Sequence, residues 1–180
     1  GNTGNNTGNS TAGGLANASG DVTVNTKGTG AVTAFGGENV TVNNTALAGG
    51  GDITVGDDSL TEASNLATGD IVIDRQAETA YNGLAGSSNN NDAGGTIGVF
   101  GGENVTIDTN QSNVINVGDI GGTSETDLNP NGTITVTNTG IVDDNAADSE
   151  GTINISGGTD VTVETTGADV SIGNGAVAAV

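Results

Sequence analysis

The sequence predicts an all-β fold: a parallel β-solenoid of short Val/Ile strands turned at glycine corners, with a β-sandwich as the alternative. Three observations carry this expectation. Aliphatic residues recur as alternating doublets, the doublets follow one another in nearly even steps, and glycine-rich phrases repeat in front of them.

The doublets come first. Val22/Val24, Val40/Val42, Ile53/Val55, Ile71/Ile73, Ile97/Val99, Val105/Ile107, Ile115/Val117, Ile134/Val136, Ile153/Ile155, Val161/Val163 and Val170/Ile172 follow one pattern, with Val32/Ala34 a weaker member. Most enclose a small or polar residue, as in Val22-Thr23-Val24. Two β-branched side chains facing one way and a short polar one facing the other describe a half-buried strand.

The steps come next. Val32 to Val40, Ile97 to Val105 and Ile153 to Val161 are each 8 residues, and Val161 to Val170 is 9. Ile53 to Ile71 is 18, while Ile115 to Ile134 and Ile134 to Ile153 are each 19. These read as double steps with a weakened strand between, near Leu60 and Ile141. Ile71 to Ile97, at 26, reads as close to three steps.

The phrases complete the case. Phe35-Gly36-Gly37-Glu38-Asn39-Val40 returns as Phe100-Gly101-Gly102-Glu103-Asn104-Val105, and without its Phe as Ser156-Gly157-Gly158-Thr159-Asp160-Val161. Each follows a doublet, so Gly-Gly marks a tight corner where positive φ is needed. A second opening appears in Gly51-Asp52-Ile53, Gly69-Asp70-Ile71, Gly132-Thr133-Ile134 and Gly151-Thr152-Ile153. Thin Val/Ile interiors favour the solenoid, because a sandwich of this length normally fills its core with aromatics. Phe35, Phe100 and Tyr81 are the whole aromatic inventory.

Residues 1–20 read as a flexible Gly/Asn/Thr-rich lead-in, and 21–180 as one β-repeat segment of a longer chain or assembly. Segments 57–68, 74–95, 118–131 and 143–150 read as solvated loops, with one helical turn possible over 74–80. The chain opens Gly1-Asn2-Thr3-Gly4 without Met, so it reads as processed or as part of something larger.

Composition removes whole classes of function. The 180 residues hold 22 Asp and Glu against 2 Lys and Arg, a net charge of -20. Lys27 and Arg75 cannot neutralise a phosphate backbone, so a nucleic-acid partner is not expected, nor is an anionic membrane surface. No apolar run approaches the roughly 18 residues of a spanning helix, so membrane insertion is not expected. The absence of Cys and Met leaves little to oxidise, which suits a long-lived extracellular or cell-surface protein.

Catalysis fails on inventory. Without His or Cys there is no imidazole base, thiol nucleophile or imidazole–metal site. Asp57-Asp58 and Asp143-Asp144 are paired carboxylates, but neighbours on a strand point apart, and no basic cluster accompanies them. The chain is therefore read as not an enzyme. Carboxylates and carbonyls do suit a hard cation. Asp52, Asp57 and Asp58, and Asp143, Asp144 and Asp148, are the candidate calcium ligands; the reading requires no cofactor and admits calcium as a possible one.

The Gly-Asp-Ile-Thr-Val, Gly-Thr-Ile-Thr-Val and Asn-Val-Thr-Val units over about residues 20–175 resemble the rungs of filamentous-haemagglutinin-type secreted β-solenoid adhesins. A similar Thr/Gly/Asn-rich, Cys-free style belongs to bacterial S-layer and surface-fibre proteins. The resemblance implies an extracellular structural or adhesive protein in a surface fibre, filament or S-layer-like assembly. Its partners would be identical or neighbouring subunits, with a host or glycan surface as a further contact. Two alternatives are a carbohydrate- or host-binding module, for which Tyr81 is the available sugar platform, and a β-helix polysaccharide hydrolase.

Overall fold

The computed structural model describes residues 17–46, 51–57, 65–77, 95–110, 114–120, 128–139 and 151–173. Twelve strands run through them: β1 (Val22–Lys27), β2 (Val32–Ala34), β3 (Val40–Ala46), β4 (Ile53–Val55), β5 (Ile71–Ala77), β6 (Ile97–Val99), β7 (Val105–Thr109), β8 (Ile115–Val117), β9 (Thr133–Asn138), β10 (Thr152–Ile155), β11 (Asp160–Thr165) and β12 (Asp169–Ile172). Every doublet of the sequence lies within one of them, the weak Val32/Ala34 included.

The fold is a parallel β-solenoid. Odd-numbered strands form one six-stranded sheet in chain order, and even-numbered strands form a second. All pairings are parallel. Each coil therefore places one strand in each sheet, and the next coil stacks upon it.

Register is kept throughout. In the first sheet Val22, Val40, Ile71, Val105, Ile134 and Val161 fall in one column. In the second sheet Val32, Ile53, Ile97, Ile115, Ile153 and Val170 do the same. The second member of each doublet forms a parallel column, so four aliphatic columns face one another across a thin core. From Val40 to Ile155 the stacked doublet residues are almost wholly buried, whereas Val22, Val24, Val161 and Val163 at the ends are half-buried. Because side chains alternate, a one-residue slip in any strand would turn its pair to solvent.

The described strands alternate strictly between the two sheets. β4 lies in the second sheet and β5 in the first, so the 18-residue step joins consecutive described strands of different sheets. The 26 residues from Ile71 to Ile97 join β5 of the first sheet to β6 of the second. Leu60 and Ile141 lie outside the described residues. The helical turn expected over 74–80 is corrected: Asp74 to Ala77 complete strand β5, and 78–80 lie outside the described residues. Backbone pairing reaches into the expected lead-in, where Ala18 bridges Gly36; residues 1–16 are outside the description.

The Gly-Gly phrases are corners, as expected. They link β2 to β3, β6 to β7 and β10 to β11, which places them on alternate coils. Gly102 and Gly158 have φ of 88° and 76°. A Cβ on either would stand 2.7 Å from the Cδ1 of the isoleucine one coil away, Ile71 or Ile134. Both the backbone angle and the close approach therefore require glycine there.

Stability should follow position in the stack. Ile107→Ala, fully buried at mid-stack, is expected to lower unfolding free energy by about 2–5 kcal/mol. Ile172→Ala, at a position 56% exposed on the last coil, should change it by less than about 1 kcal/mol. Urea titration followed by far-UV circular dichroism measures both. Equal losses would mean the columns are not a continuous core.

Candidate functional site

Three arrays of functional side chains are held by the register: a corner ladder, an outer polar face and an inner polar column. The corner ladder stands where the chain enters the first sheet. Asp21, Asn39, Asp70, Asn104 and Thr133 precede or begin successive strands. Asn39 Nδ2 donates to Asp21 Oδ1 at 2.8 Å, and Asn39 Oδ1 accepts from Asp70 N at 2.9 Å. Asn104 repeats this, donating to Asp70 Oδ1 at 2.8 Å and accepting from Thr133 N at 2.9 Å. Each carboxamide thus ties a carboxylate on one coil to a backbone amide two coils along.

This arrangement explains the phrases that recur at the entries to the first sheet. Gly69 N donates to Glu38 O, Glu103 N to Gly69 O, and Gly132 N to Glu103 O. Gly-Asp or Gly-Thr therefore alternates with Glu-Asn up the corner. Glycine is needed at 69 and 132 because the Asn carboxamide oxygen occupies the space a Cβ would take. Asp and Asn alternate for an electrostatic reason: carboxylates on adjacent coils would stand only about 4.8 Å apart.

The outer face of the first sheet is a polar grid. Thr23, Thr41, Val72, Thr106, Thr135 and Thr162 form one outward column. Asn25, Asn43, Asp74, Asp108, Thr137 and Glu164 form the next. Asn43 Nδ2 donates to Asn25 Oδ1 at 2.7 Å, so part of this grid is itself laddered. On the second sheet Asn154 Nδ2 donates to Asn116 Oδ1 at 3.0 Å. Phe100 stands against the outward side of Gly98, filling the gap that glycine leaves.

The inner column is the feature that sequence reasoning missed. Two residues beyond the doublets, strands β3, β5, β7 and β9 turn Asn44, Arg75, Thr109 and Asn138 inward. All four are buried, Arg75 completely. This corrects the reading of Arg75 as a loop residue. Its Nη1 donates to Gly95 O at 2.7 Å and its Nη2 to Gly51 O at 3.1 Å, clasping the turns that lead into β6 and β4. Burial pulls the guanidinium down to about 10, with the nearby Asp52 carboxylate opposing that shift. A cation whose value falls on folding opposes the fold at every pH below that point. The signal was present in the sequence as an extension of the period-2 pattern: Val40/Val42/Asn44, Ile71/Ile73/Arg75, Val105/Ile107/Thr109 and Ile134/Val136/Asn138.

Of the candidate calcium ligands, Asp52 and Asp57 are described. Asp52 is exposed at the start of β4, where its Oδ1 accepts from Thr96 N at 2.8 Å. Asp57 lies past the other end of β4 and accepts from Asn65 Nδ2 at 3.0 Å. A strand lies between these two acids, so they do not converge on one ion. Among the described residues no three acidic side chains form a metal-holding group. Asp58, Asp143, Asp144 and Asp148 lie outside the described residues, as does Tyr81. No helix of the described residues is long and apolar enough to cross a membrane. No family model matches the chain, and neither a curated protein nor a solved structure matches it.

The corner ladder yields a charge-specific test. Asn104→Ala removes both carboxamide bonds and should cost about 1–3 kcal/mol at any pH. Asn104→Asp keeps an acceptor but sets a carboxylate against Asp70. Two carboxylates forced together have raised folded-state pKa values, so they destabilise the fold when ionised. The Asp variant should therefore lose stability, relative to the natural chain, as pH rises from about 3 to about 7. Urea midpoints at the two pH values decide it. A pH-independent loss would remove the charge argument.

Proposed function

We propose that this chain is a non-enzymatic structural and adhesive segment of an extracellular or cell-surface fibre, in the manner of the secreted β-solenoid adhesins its rungs resemble. Its work is to set a spacing and to present polar surfaces. The observation that carries this reading is the unbroken register of six coils, which makes the molecule a rod whose sides are repeating grids of Thr, Asn and Asp. A solenoid offers such sides without a catalytic cleft, and its corners and excursions supply contact surfaces.

Self-association is the second part of the reading. Among the described residues, β1 and β2 border one end of the stack and β11 and β12 the other. Val170 is 44% and Ile172 56% exposed on β12. An open strand edge with apolar residues on it is a template for another chain. Stacking β11 of one copy beneath β1 of the next would continue the columns, Val161 to Val22 and Val163 to Val24. It would also bring Glu164 onto the same outer face as Lys27. A head-to-tail contact of this kind propagates instead of closing.

Adhesion to a glycan or host surface follows from the same grid, since hydroxyls, carboxamides and carboxylates are the groups that hydrogen-bond sugar hydroxyls. Calcium enters through the acidic segments of the sequence that carry Asp57, Asp58, Asp143, Asp144 and Asp148, as a cross-link between neighbouring rods.

Electron microscopy and fibre diffraction test the proposal. Filaments with a meridional spacing near 4.8 Å are expected, because strands lie perpendicular to the rod axis. Val170→Asp with Ile172→Asp should shorten or abolish them while leaving the circular dichroism of the chain unchanged, and chelating calcium should disperse lateral bundles. A monomer at all concentrations that binds glycan saturably would favour the carbohydrate-binding module. Sugar release lost in Asp57→Asn or Asp143→Asn would revive the hydrolase and end this reading.

A further inference from the structure

The inner column contains a polar site that neither the core nor the rod surface accounts for. Asn44 is the register partner of Arg75, and Arg75 of Thr109, so their side chains leave adjacent strands on the same inward side. Asn44 is 2% and Arg75 0% exposed. Both terminal nitrogens of Arg75 are used on Gly95 O and Gly51 O. Three polar atoms at this junction have no hydrogen-bond partner among the described residues: Asn44 Nδ2, Asn44 Oδ1 and Arg75 Nε. Buried polar groups are almost always paired, so these three mark a site with a missing partner.

Their chemistry restricts what that partner is. Arg75 Nε–H and the Asn44 amide are donors, while Asn44 Oδ1 is an acceptor. A halide accepts from the donors but leaves Oδ1 bare. A metal cation is repelled by the guanidinium and finds a single neutral oxygen. Water accepts twice and donates twice, and so meets all three demands. Spacing agrees: adjacent strands lie about 4.8 Å apart, and a bridging molecule with two hydrogen bonds of about 2.8 Å spans such a gap.

We infer that ordered water is bound inside the solenoid between Asn44 and Arg75, at the junction of the second and third coils. The water completes the coordination of the buried guanidinium and couples two coils through their interior, where elsewhere the coupling is aliphatic. Burial without full pairing also fits the lowered proton affinity of Arg75.

The test uses the full chain, isotopically labelled, in dilute chloride buffer at about pH 5, where exchange of side-chain N–H protons is slow. Cross-relaxation between water and the Arg75 Hε and Asn44 Hδ2 protons is expected, with the sign of a long-lived water. In Asn44→Leu the Arg75 Hε signal to water should disappear and the melting temperature should fall by about 2–4 °C. A rise in melting temperature would show that the site is dry, because replacing a bare amide with an alkyl group is then favourable. Should the Leu variant not fold, Asn44→Thr, which keeps a hydroxyl partner, must retain the Arg75 signal to water. Absence of water signals at both groups of the natural chain overturns the inference. So does a saturable shift of Arg75 Hε when bromide replaces chloride, which would identify an anion.

Discussion

The in-register parallel hydrogen-bond ladder is the constraint on which the rest of the molecule depends. Strands β2, β4, β6 and β8 are each three residues long, too short to persist alone. β4, β6 and β8 are each fixed by a strand on either side and β2 by β4, and the ladder continues through the corners, where Gly118 N donates to Val99 O and Ser156 N to Val117 O. Once register is set, the aliphatic columns, the Asn–Asp corner and the polar grids all follow, because each is one position of the coil repeated. Stability then belongs to contacts between neighbouring coils, as in other repeat architectures.

The charge of the chain has to be accommodated within that repetition. A strict repeat of one acidic phrase would stack carboxylates at strand spacing, a like-charge column with nothing between. The corner avoids this by alternating Gly-Asp with Glu-Asn, so that a carboxamide separates Asp21 from Asp70. Asp74 and Asp108 are direct neighbours on the outer face, but there both are exposed and water screens them. Inside the solenoid the sign reverses, where the fully buried Arg75 carries a positive charge.

How far this was legible in the sequence depends on where contrast survives. Every strand was readable because an aliphatic doublet around a small or polar residue stands out, even in the pair Val32/Ala34. The Gly-Gly corners were readable because glycine pairs have a backbone reason. The pairing of strands was not, because the steps count connections as well as strands. Arg75 and Asn44 escaped notice because an inward polar residue erases the contrast between faces. The Asn39–Asp70 bond was hidden by its 31-residue separation. Asp52 and Asp57 looked adjacent in the sequence, yet β4 holds them apart.

Connections between the strands differ in length far more than the strands do. Asn65 and Leu128 lie on the ladder, where their carbonyls accept from Gly36 N and Gly101 N. Seven residues, 58–64 and 121–127, separate them from Asp57 and Ile120. Loop length enters closure entropy only logarithmically, so such insertions burden the scaffold little. Residues outside the ladder are then released from the Val/Ile and Gly requirements that govern the strands and corners. That difference is visible in the sequence, where the Asn runs and much of the acidity fall between the strands.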